Sequence, residues 1–548
     1  MGIRSLLILG YDAFFDGPKP EDRLELVRHI PKNAILAEIL GLNYRIRPTT
    51  KLHDNTTPEL QIDLIDYFLP IPLTSALNAK VKAIFSSIVR RQRSVIFDRP
   101  SCLFATEEIL ASDIPYEIDG FEMAKRENWE AIFKYLLLVN DEITTIKEEK
   151  DDANINFEVI NPKLLPLNAV TIEEDFYSVP YRSYRLLKFI EAIPEIGDEL
   201  ISYLRETYDM NIEEFSKFIV QVYYGNSTQK EIIGFHYQVP EEEQAKFEKL
   251  SKRIITEEPS KLIGIRKAPF IQTAPNRFML ADQSFLVAKA YGQFLNDFWF
   301  DHLKKCRDEN GQNRFNYQDY RSHFGQFFES YLRDIFEGAF KDKKHFNLLL
   351  FDDLKFETPQ GQIELSDVYL RNGNKVLVGE VKSSSIYDKE KFGGDIETLY
   401  KGDRNKFFKD FGVDQAVKHI LDINKHIKHL DPGYEHVGSK QIYPCIVVND
   451  PALLTPLMAD VFNKRFQELL KDQDLGDLHV KPLAVIGVND LERLEFELDR
   501  KPALIWNLLR TNSTQQMIPP FYNTTNRHVT GRRYPERIKD FYKRILPE

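Results

Sequence analysis

The sequence predicts an α/β fold, α+β over the whole chain, in which a mixed sheet follows a mostly helical N-terminal half. Residues 310–500 alternate between runs with helical spacing and short apolar runs typical of strands. Within them, residues 363–385 carry the turn signal of a hairpin. Residues 1–260 show repeated helical patterns and no motif that indicates chemistry. Alternating helices and strands indicate a sheet with helices packed on its outside.

The first helix predicted in the C-terminal half has an apolar stripe at helical spacing. Its members are Phe324, Phe327, Phe328, Tyr331, Leu332, Ile335 and Phe336. A first strand is expected at 345–356, followed by a turn at 359–361. The later elements are a helix at 413–430, a strand at 442–448, a helix at 453–470 and a strand at 482–488. The first strand and the hairpin complete a meander, which the second helix and the later strands follow.

The hairpin turn sets which residues face each other. Asn372-Gly373 is a dipeptide that tolerates the positive φ angles of a type I′ turn. A loop centred on this pair places Asp367 opposite Val378 and makes Glu380 its diagonal neighbour on the same face. Diagonal neighbours lie roughly 7 Å apart at Cα. We therefore expect the two carboxylates to approach each other.

Lys382 joins the two carboxylates at the end of a nearly apolar strand. Side chains alternate faces along a strand, so Lys382 points the same way as Glu380. Two carboxylates at this separation suit Mg²⁺, which takes oxygen ligands at about 2.1 Å and accepts one or two protein carboxylates. Burying three such groups without mutual neutralisation is costly. The alternative is a salt-bridged strand end formed by Asp367, Glu380 and Lys382.

Asp367 followed by Glu380-Val381-Lys382 resembles the PD-(D/E)xK nuclease superfamily. The resemblance covers residues 310–500 and implies a restriction-endonuclease-like mixed sheet flanked by helices. It implies that Asp367 and Glu380 bind a catalytic Mg²⁺, with Mn²⁺ as a substitute, and that Val381 adds its backbone carbonyl. Lys382 would orient the attacking water or stabilise the phosphate.

Two helices extend the resemblance. A glutamate on the family's first helix often completes the metal site, which makes Glu329 a further metal candidate; the alternative is a glutamate at the edge of a packed helix. A glutamine or lysine on the second helix contacts the phosphate or steers the lysine, and that catalytic role passes to Gln415 and Lys418. The family's RecB-like branch has a tyrosine where this chain has His419. Ser366 stands in place of the family's usual proline.

Four parts are predicted along the chain. They are a recognition or docking region at 1–260, an adaptor at 261–309, the nuclease-like domain at 310–500 and a basic C-terminal extension at 501–548. A chain of 548 residues is long for one hydrophobic core. Aromatic residues cluster at 291–300, where their helical spacing favours core packing over stacking on bases.

Composition predicts a globular protein. Hydrophobic residues make up 43% and charged residues 29% of the chain. No apolar run reaches the roughly 18 residues of a membrane span, so no membrane partner and a cytoplasmic location are expected.

The cysteines and histidines predict no zinc site. Cys102, Cys306 and Cys445 lack CxxC spacing, which argues against a disulfide framework or a zinc ribbon and favours packing roles. Three histidines share one side of the helix at 413–430 without an i, i+4 pair, and we expect a solvated or phosphate-facing surface there. They are His419, His426 and His429.

The net charge of the chain limits which partners are expected. The net charge of −11 argues against a constitutive nucleic-acid binder, because phosphate binding favours a basic surface. Basic residues do recur locally, at 389–409 and at 527–544. Weak intrinsic affinity suits an enzyme gated by a partner or a signal. No GxxxxGK[ST] motif occurs, so an ATP-driven step requires a partner such as an ATPase or helicase.

The sequence therefore predicts a Mg²⁺-dependent endonuclease that hydrolyses phosphodiester bonds, with DNA favoured over RNA as the nucleic-acid partner. An oligomer is compatible with the sequence. The fusion resembles effector nucleases of bacterial anti-phage and restriction systems, an inference from fold analogy alone. The alternative is a non-catalytic nucleic-acid-binding or assembly subunit that retains the nuclease fold.

Overall fold

The computed structural model describes most of the chain. The described residues are 6–46, 58–68, 75–87, 93–144, 177–228, 235–254, 262–359, 361–385, 407–435, 438–455, 458–515, 517–526 and 533–546. Their α-helices are α1 (Lys32–Ile46), α2 (Pro58–Phe68), α3 (Ser75–Ser87), α4 (Arg99–Ala111), α5 (Arg126–Thr144), α6 (Ser178–Glu191), α7 (Ile196–Tyr208), α8 (Ile212–Thr228), α9 (Glu241–Glu248), α10 (Ile263–Lys267), α11 (Gln283–Lys289), α12 (Gly292–Asp297), α13 (Tyr317–Phe340), α14 (Val413–His426), α15 (Met458–Leu470), α16 (Val488–Arg500), α17 (Leu504–Ser513), α18 (Tyr522–Thr525) and α19 (Glu536–Ile545). Their strands are β1 (Leu6–Ile8), β2 (Arg93–Val95), β3 (His236–Gln238), β4 (Ser251–Lys252), β5 (Phe270–Ala274), β6 (Arg277–Leu280), β7 (Asn347–Leu350), β8 (Lys355–Thr358), β9 (Gly361–Glu364), β10 (Val368–Asn372), β11 (Lys375–Lys382), β12 (Lys440–Val448), β13 (Leu478–Val480) and β14 (Ala484–Gly487).

The largest sheet is mixed and lies in the C-terminal half. Its order is β13-β12-β11-β10-β7, with β14 also paired to β12. The strands β7, β10 and β11 are antiparallel, whereas β11, β12, β13 and β14 run parallel. Both faces carry helices: Leu377 faces a core shared with α13 and α16, and Val376 and Val378 face a core shared with α14 and α15. The prediction of a mixed α/β fold is confirmed.

The predicted strand at 345–356 is wrong in extent. β7 ends at Leu350 because Phe351 has a positive φ of 51° and opens a 3₁₀ turn over Phe351–Leu354. The chain then forms β8 and β9, a separate two-stranded sheet, before it enters β10. The hairpin β8–β9 is therefore an insertion between neighbouring strands of the main sheet.

The N-terminal half is mostly helical, as predicted, but it also contains two small sheets. The strands β1 and β2 are parallel, and a four-stranded sheet has the order β3-β6-β5-β4. That second sheet pairs strands from both sides of residue 260, the predicted end of the docking region. A single hydrophobic core runs from Leu9 to Ile545, so the two halves of the chain are packed together.

The C-terminal segment folds back onto the N-terminal half. In α19, the ring of Phe541 lies 5.3 Å from that of Tyr184, and the Tyr542 hydroxyl donates a hydrogen bond of 2.9 Å to the Tyr177 carbonyl. Arg537 forms an ion pair with Glu495. Basic residues of this segment thus serve internal contacts, while the basic segment at 389–406 and Arg527 and Arg532 lie outside the described residues.

The aromatic cluster at 291–300 packs into the core, as predicted. Tyr291, Phe294, Phe298 and Trp299 are buried, and Phe300 is 51% exposed. No helix in the described part of the chain is long and apolar enough to cross a membrane.

Candidate active site

The β10–β11 hairpin has a different turn from the one predicted. Asn372 pairs with Lys375, so the two loop residues are Gly373 and Asn374. Gly373 has a φ of 59°, and Asn374 is not among the residues of positive φ. A glycine of positive φ at the first loop position is typical of a type II′ turn, whereas type I′ requires positive φ at both positions. The predicted Asn372-Gly373 turn is therefore wrong.

In this register the two acidic residues lie directly opposite each other, whereas the prediction made them diagonal neighbours. Val368 pairs with Gly379, so continuation of the ladder places Asp367 across from Glu380 instead of across from Val378. Asp367 lies just before β10, and its N–H donates to the Gly379 carbonyl at 3.1 Å. Its Oδ2 accepts a hydrogen bond of 2.6 Å from the Val381 N–H. The side chain is thus held along the strand that carries Glu380.

Glu380 lies at the centre of a compact charged group. It is 3% exposed, and its Oε1 is 2.7 Å from Lys382 Nζ. Its Oε2 is 2.5 Å from Nε2 of His419, which is buried on α14. The Nδ1 atom of His419 is buried and has no hydrogen-bond partner among the described residues. Three side chains from one strand and one helix therefore share this site with Asp367.

The close approach of α14 to the strand depends on a glycine. Gly412 caps the N-terminus of α14 with a φ of 85°. A Cβ atom there would lie 2.8 Å from Glu380 Cγ and 2.9 Å from Lys382 Cε. Only glycine adopts this positive φ without strain and leaves room for the side chains of Glu380 and Lys382.

We expect Gly412→Ala to destabilise the protein by about 1–2 kcal/mol from the left-handed backbone alone, with a further cost from the two contacts. Denaturant unfolding measures the change. Gly438→Ala is the matched control, because a Cβ at Gly438 meets nothing within 4 Å. Equal stability of the two variants would show that α14 does not hold Glu380 and Lys382 as described.

The two carboxylates differ in protonation. Burial, followed by the negative charge of Glu380, raises the pKa of Asp367 well above its usual value. For Glu380, burial acts in the same direction, but the hydrogen bond from His419 and the charge of Lys382 outweigh it and lower the pKa. The ionised form of Asp367 is therefore disfavoured at this site, and a proton or a cation can offset its charge.

Without added metal, Asp367→Asn should raise stability at pH 8. A raised pKa in the folded state means that stability falls as pH rises from the unfolded value of about 3.9 through the folded one. The gain should therefore shrink toward zero below about pH 4. Unfolding measured across this range with a chelator present tests the sign.

Asp431→Asn is the control of opposite sign. Burial alone would raise the pKa of Asp431, but hydrogen bonds from Arg371 and Tyr369 lower it. Its ionised form stabilises the fold above the unfolded pKa, and this contribution is lost as pH falls through the folded pKa. A loss of stability at pH 8 in both variants would contradict the raised pKa of Asp367.

Glu329 lies near the site but is exposed. It projects from α13, where a Cβ at Gly325, one turn earlier, would lie 3.6 Å from Ser383 Oγ at the end of β11. Burial and the charges of Glu364 and Asp352, with a smaller contribution from Glu380, raise the pKa of Glu329. Glu364 also raises the pKa of Asp367. Sequence reasoning missed Glu364, which ends the inserted strand β9.

The second helix carries Gln415 and Lys418, whose predicted contact with a phosphate stays a prediction. Gln415 is half-buried in the first turn of α14, and its side chain makes no hydrogen bond to Lys382 or to the carboxylates among the described residues. The side chain of Lys418 is 67% exposed, and its Nζ lies 4.0 Å from Oδ2 of Asp422. The helix instead supplies His419. The predicted solvated histidine surface is wrong for His419, because that side chain contacts Glu380.

Comparison with family models, curated proteins and solved structures finds no significant match to this chain. The site must be judged on its own chemistry. Asp367, Glu380 and the Val381 carbonyl are oxygen donors, which Mg²⁺ and Mn²⁺ prefer. In the described part of the chain, only one group of three His, Cys, Asp or Glu side chains brings its ligand atoms within 4.8 Å of one another, and it lies elsewhere. Glu329 thus does not join Asp367 and Glu380 at that distance.

Proposed function

We propose that this protein is a metal-dependent nuclease that hydrolyses phosphodiester bonds. The observation that carries the proposal is the meeting of Asp367, Glu380 and Lys382 on one face of the sheet, where burial and the charge of Glu380 raise the pKa of Asp367. A partly buried carboxylate of this kind is stabilised by a cation. Perturbed carboxylates beside a lysine are typical of functional sites.

The order of elements supports a restriction-endonuclease-like core. A helix, α13, precedes three antiparallel strands, β7, β10 and β11. A second helix, α14, then leads to β12, which pairs parallel to β11. The resembled superfamily has the same sequence of helix, three-stranded meander, helix and strand. Its carboxylates and lysine come from the positions that Asp367, Glu380 and Lys382 occupy here.

The donors present fit Mg²⁺, with Mn²⁺ as a substitute. Asp367 and Glu380 would hold the cation with the carbonyl of Val381, whose N–H already binds Asp367. Each carboxylate oxygen has two acceptor positions, so Glu380 can keep its contacts to Lys382 and His419 and still provide a ligand. A bound cation would neutralise phosphate charge and favour ionisation of water.

Lys382 and His419 have separate roles in this proposal. Hydrolysis adds water to phosphorus and breaks the bond to one ester oxygen, which leaves with a proton. The ammonium of Lys382 orients the attacking water and stabilises negative charge that builds on the phosphate. His419 holds Glu380 in place through its Nε2 contact, so it is a positioning residue.

DNA is our proposed substrate, and the acidic charge of the chain favours control by a partner or a signal. The net charge of −11 disfavours tight unspecific binding to nucleic acid. An ATPase or helicase would supply any ATP-driven step. A bacterial defence or restriction role remains an analogy with other nuclease fusions.

A non-catalytic subunit that retains the fold is the second candidate. One observation favours it: both oxygens of Glu380 already contact positive or donor groups, Lys382 and His419. A charge-balanced strand end of this kind stabilises structure without turnover. The two candidates differ in whether metal binding is coupled to strand cutting.

The test combines metal binding with cleavage. Wild type, Asp367→Asn and the exposed control Asp472→Asn are incubated with plasmid DNA, linear DNA or RNA, with Mg²⁺, Mn²⁺ or chelator. We expect metal to raise the melting temperature of wild type and the control but not of Asp367→Asn, and cutting to follow the same pattern. Metal binding at Asp367 without cutting of any substrate would favour the second candidate. Absence of metal binding that depends on Asp367 would overturn the nuclease proposal and would agree with a charge-balanced strand end.

A further inference from the structure

Three potential metal ligands outside the hairpin meet where the N-terminal half contacts the segment that leads into α13. Glu199 lies on α7, His302 ends a π turn over Phe298–His302, and Cys306 follows the next 3₁₀ turn. One ligand atom from each lies within 4.8 Å of the others. They are the group of three noted above, and their donors are imidazole, thiol and carboxylate.

The distances suit a tetrahedral cation. The Sγ of Cys306 lies 3.5 Å from Oε2 of Glu199. A tetrahedral Zn²⁺ with bonds of about 2.3 Å to sulfur and about 2.0–2.2 Å to oxygen separates those two atoms by about 3.5 Å. The Nε2 of His302 lies 2.7 Å from the same oxygen, in a hydrogen bond that must widen by about 0.6 Å for the nitrogen to bind Zn²⁺.

The surroundings hold each ligand in place. Arg314 Nη1 lies 2.8 Å from Glu199 Oε1, so the arginine takes one carboxylate oxygen and leaves Oε2 facing the other two ligands. The His302 ring lies almost parallel to Phe298 and 5.5 Å from the ring of Tyr203. Partners of this kind orient ligands in metal sites.

The π turn that ends at His302 is a second observation that indicates a functional site. The Leu303 N–H bonds to the Phe298 carbonyl, five residues back, which makes this a π turn. Such turns are rare in proteins, and those that occur often lie at functional sites. It ends at His302, the residue whose side chain contacts Glu199.

We propose that Glu199, His302 and Cys306 bind a transition-metal cation, Zn²⁺ by preference. Thiolate and imidazole select such a metal over Mg²⁺. Cys306 releases its thiol proton to solvent on binding, and the side chains of Glu199 and His302, 20% and 17% exposed, leave room for water as a fourth ligand. The cation would join α7 to the segment that leads into α13, which carries Glu329. Sequence spacing predicts no such site, because Glu199 is separated from His302 by 103 positions.

Cobalt binding to the full-length chain tests the proposal, because a Co²⁺–thiolate bond has its own charge-transfer absorption. Wild type stripped with chelator is titrated with Co²⁺ and then with Zn²⁺ as competitor. We expect one thiolate-bound Co²⁺ that Zn²⁺ displaces. In Cys306→Ser the thiolate band should vanish, and Zn²⁺ affinity should fall at least about tenfold.

Control variants separate this site from other effects. Cys445→Ala, which removes a buried thiol remote from the cluster, and Asp367→Asn should both retain the band. Glu199→Gln should keep the band with weaker affinity, and circular dichroism establishes that each variant is folded. Absence of the band in folded wild type, or its persistence in Cys306→Ser, would overturn the proposal. Neither result depends on nuclease activity.

Discussion

Lys382→Ala is expected to lower metal-dependent cleavage at least about a hundredfold, the usual cost of removing one group that stabilises transition-state charge. The lysine is 2.7 Å from Glu380 and lies at the end of β11, where a phosphate near the carboxylates would come within its reach. Binding of Mn²⁺ should persist, because Lys382 is not a ligand. Initial rates of plasmid nicking, set beside Mn²⁺ binding, measure both properties.

Lys375→Ala is the matched control, because Lys375 begins the same strand and lies at its opposite end. It should cut at the wild-type rate. If Lys382→Ala also cut at that rate, the lysine would be a structural ion-pair partner of Glu380 and the catalytic role would be lost. A fall in Mn²⁺ binding equal to the fall in rate would instead point to a disturbed Glu380.

The sequence predicted which face the site residues share but not how they are paired. Alternation along a strand places Glu380 with Val378 whatever the turn, because it depends only on the period of two. Pairing depends on which two residues form the loop, and Gly373 was compatible with two loops. The structure selects the one in which glycine stands first.

His419 had a signal that the sequence analysis did not use. It lies three residues after Ala416 and four before Ile423, both buried on the apolar face of α14. A histidine within such a stripe is expected to be buried, and a buried imidazole requires a polar partner. The identity of that partner could not be predicted, because Glu380 reaches it through helix-to-sheet packing across 39 residues of chain.

The junction between the two halves of the chain was equally hidden in the sequence. Arg182 on α6 donates to Glu492 on α16 at 2.9 Å, across 310 residues. The Tyr331 hydroxyl on α13 donates to the same Glu492 oxygen at 2.7 Å. The side chains of Arg182 and Glu492 are 4% and 0% exposed. A predicted boundary between a docking region and a nuclease domain would not suggest a buried ion pair there.

Arg182→Ala should therefore destabilise the protein by about 3–5 kcal/mol, because it leaves the Glu492 carboxylate buried without its cation. Arg185→Ala, three residues later on α6, is the control: its partner Asp334 is 2.9 Å away and both side chains are more than a third exposed, so the loss should stay within about 1 kcal/mol. Denaturant unfolding compares the two.

The ion pair of Arg182 and Glu492 is connected to the candidate active site through α13. The helix α13 carries Tyr331 beside Glu492 and, two residues earlier, Glu329 near the carboxylates. Pairing Arg182→Met with Glu492→Met removes both charges, and such replacements of a buried ion pair are often neutral or stabilising. We expect the double variant to recover most of the stability that is lost in Arg182→Ala. Similar losses in Arg182→Ala and Arg185→Ala would show that the junction does not depend on this buried charge pair.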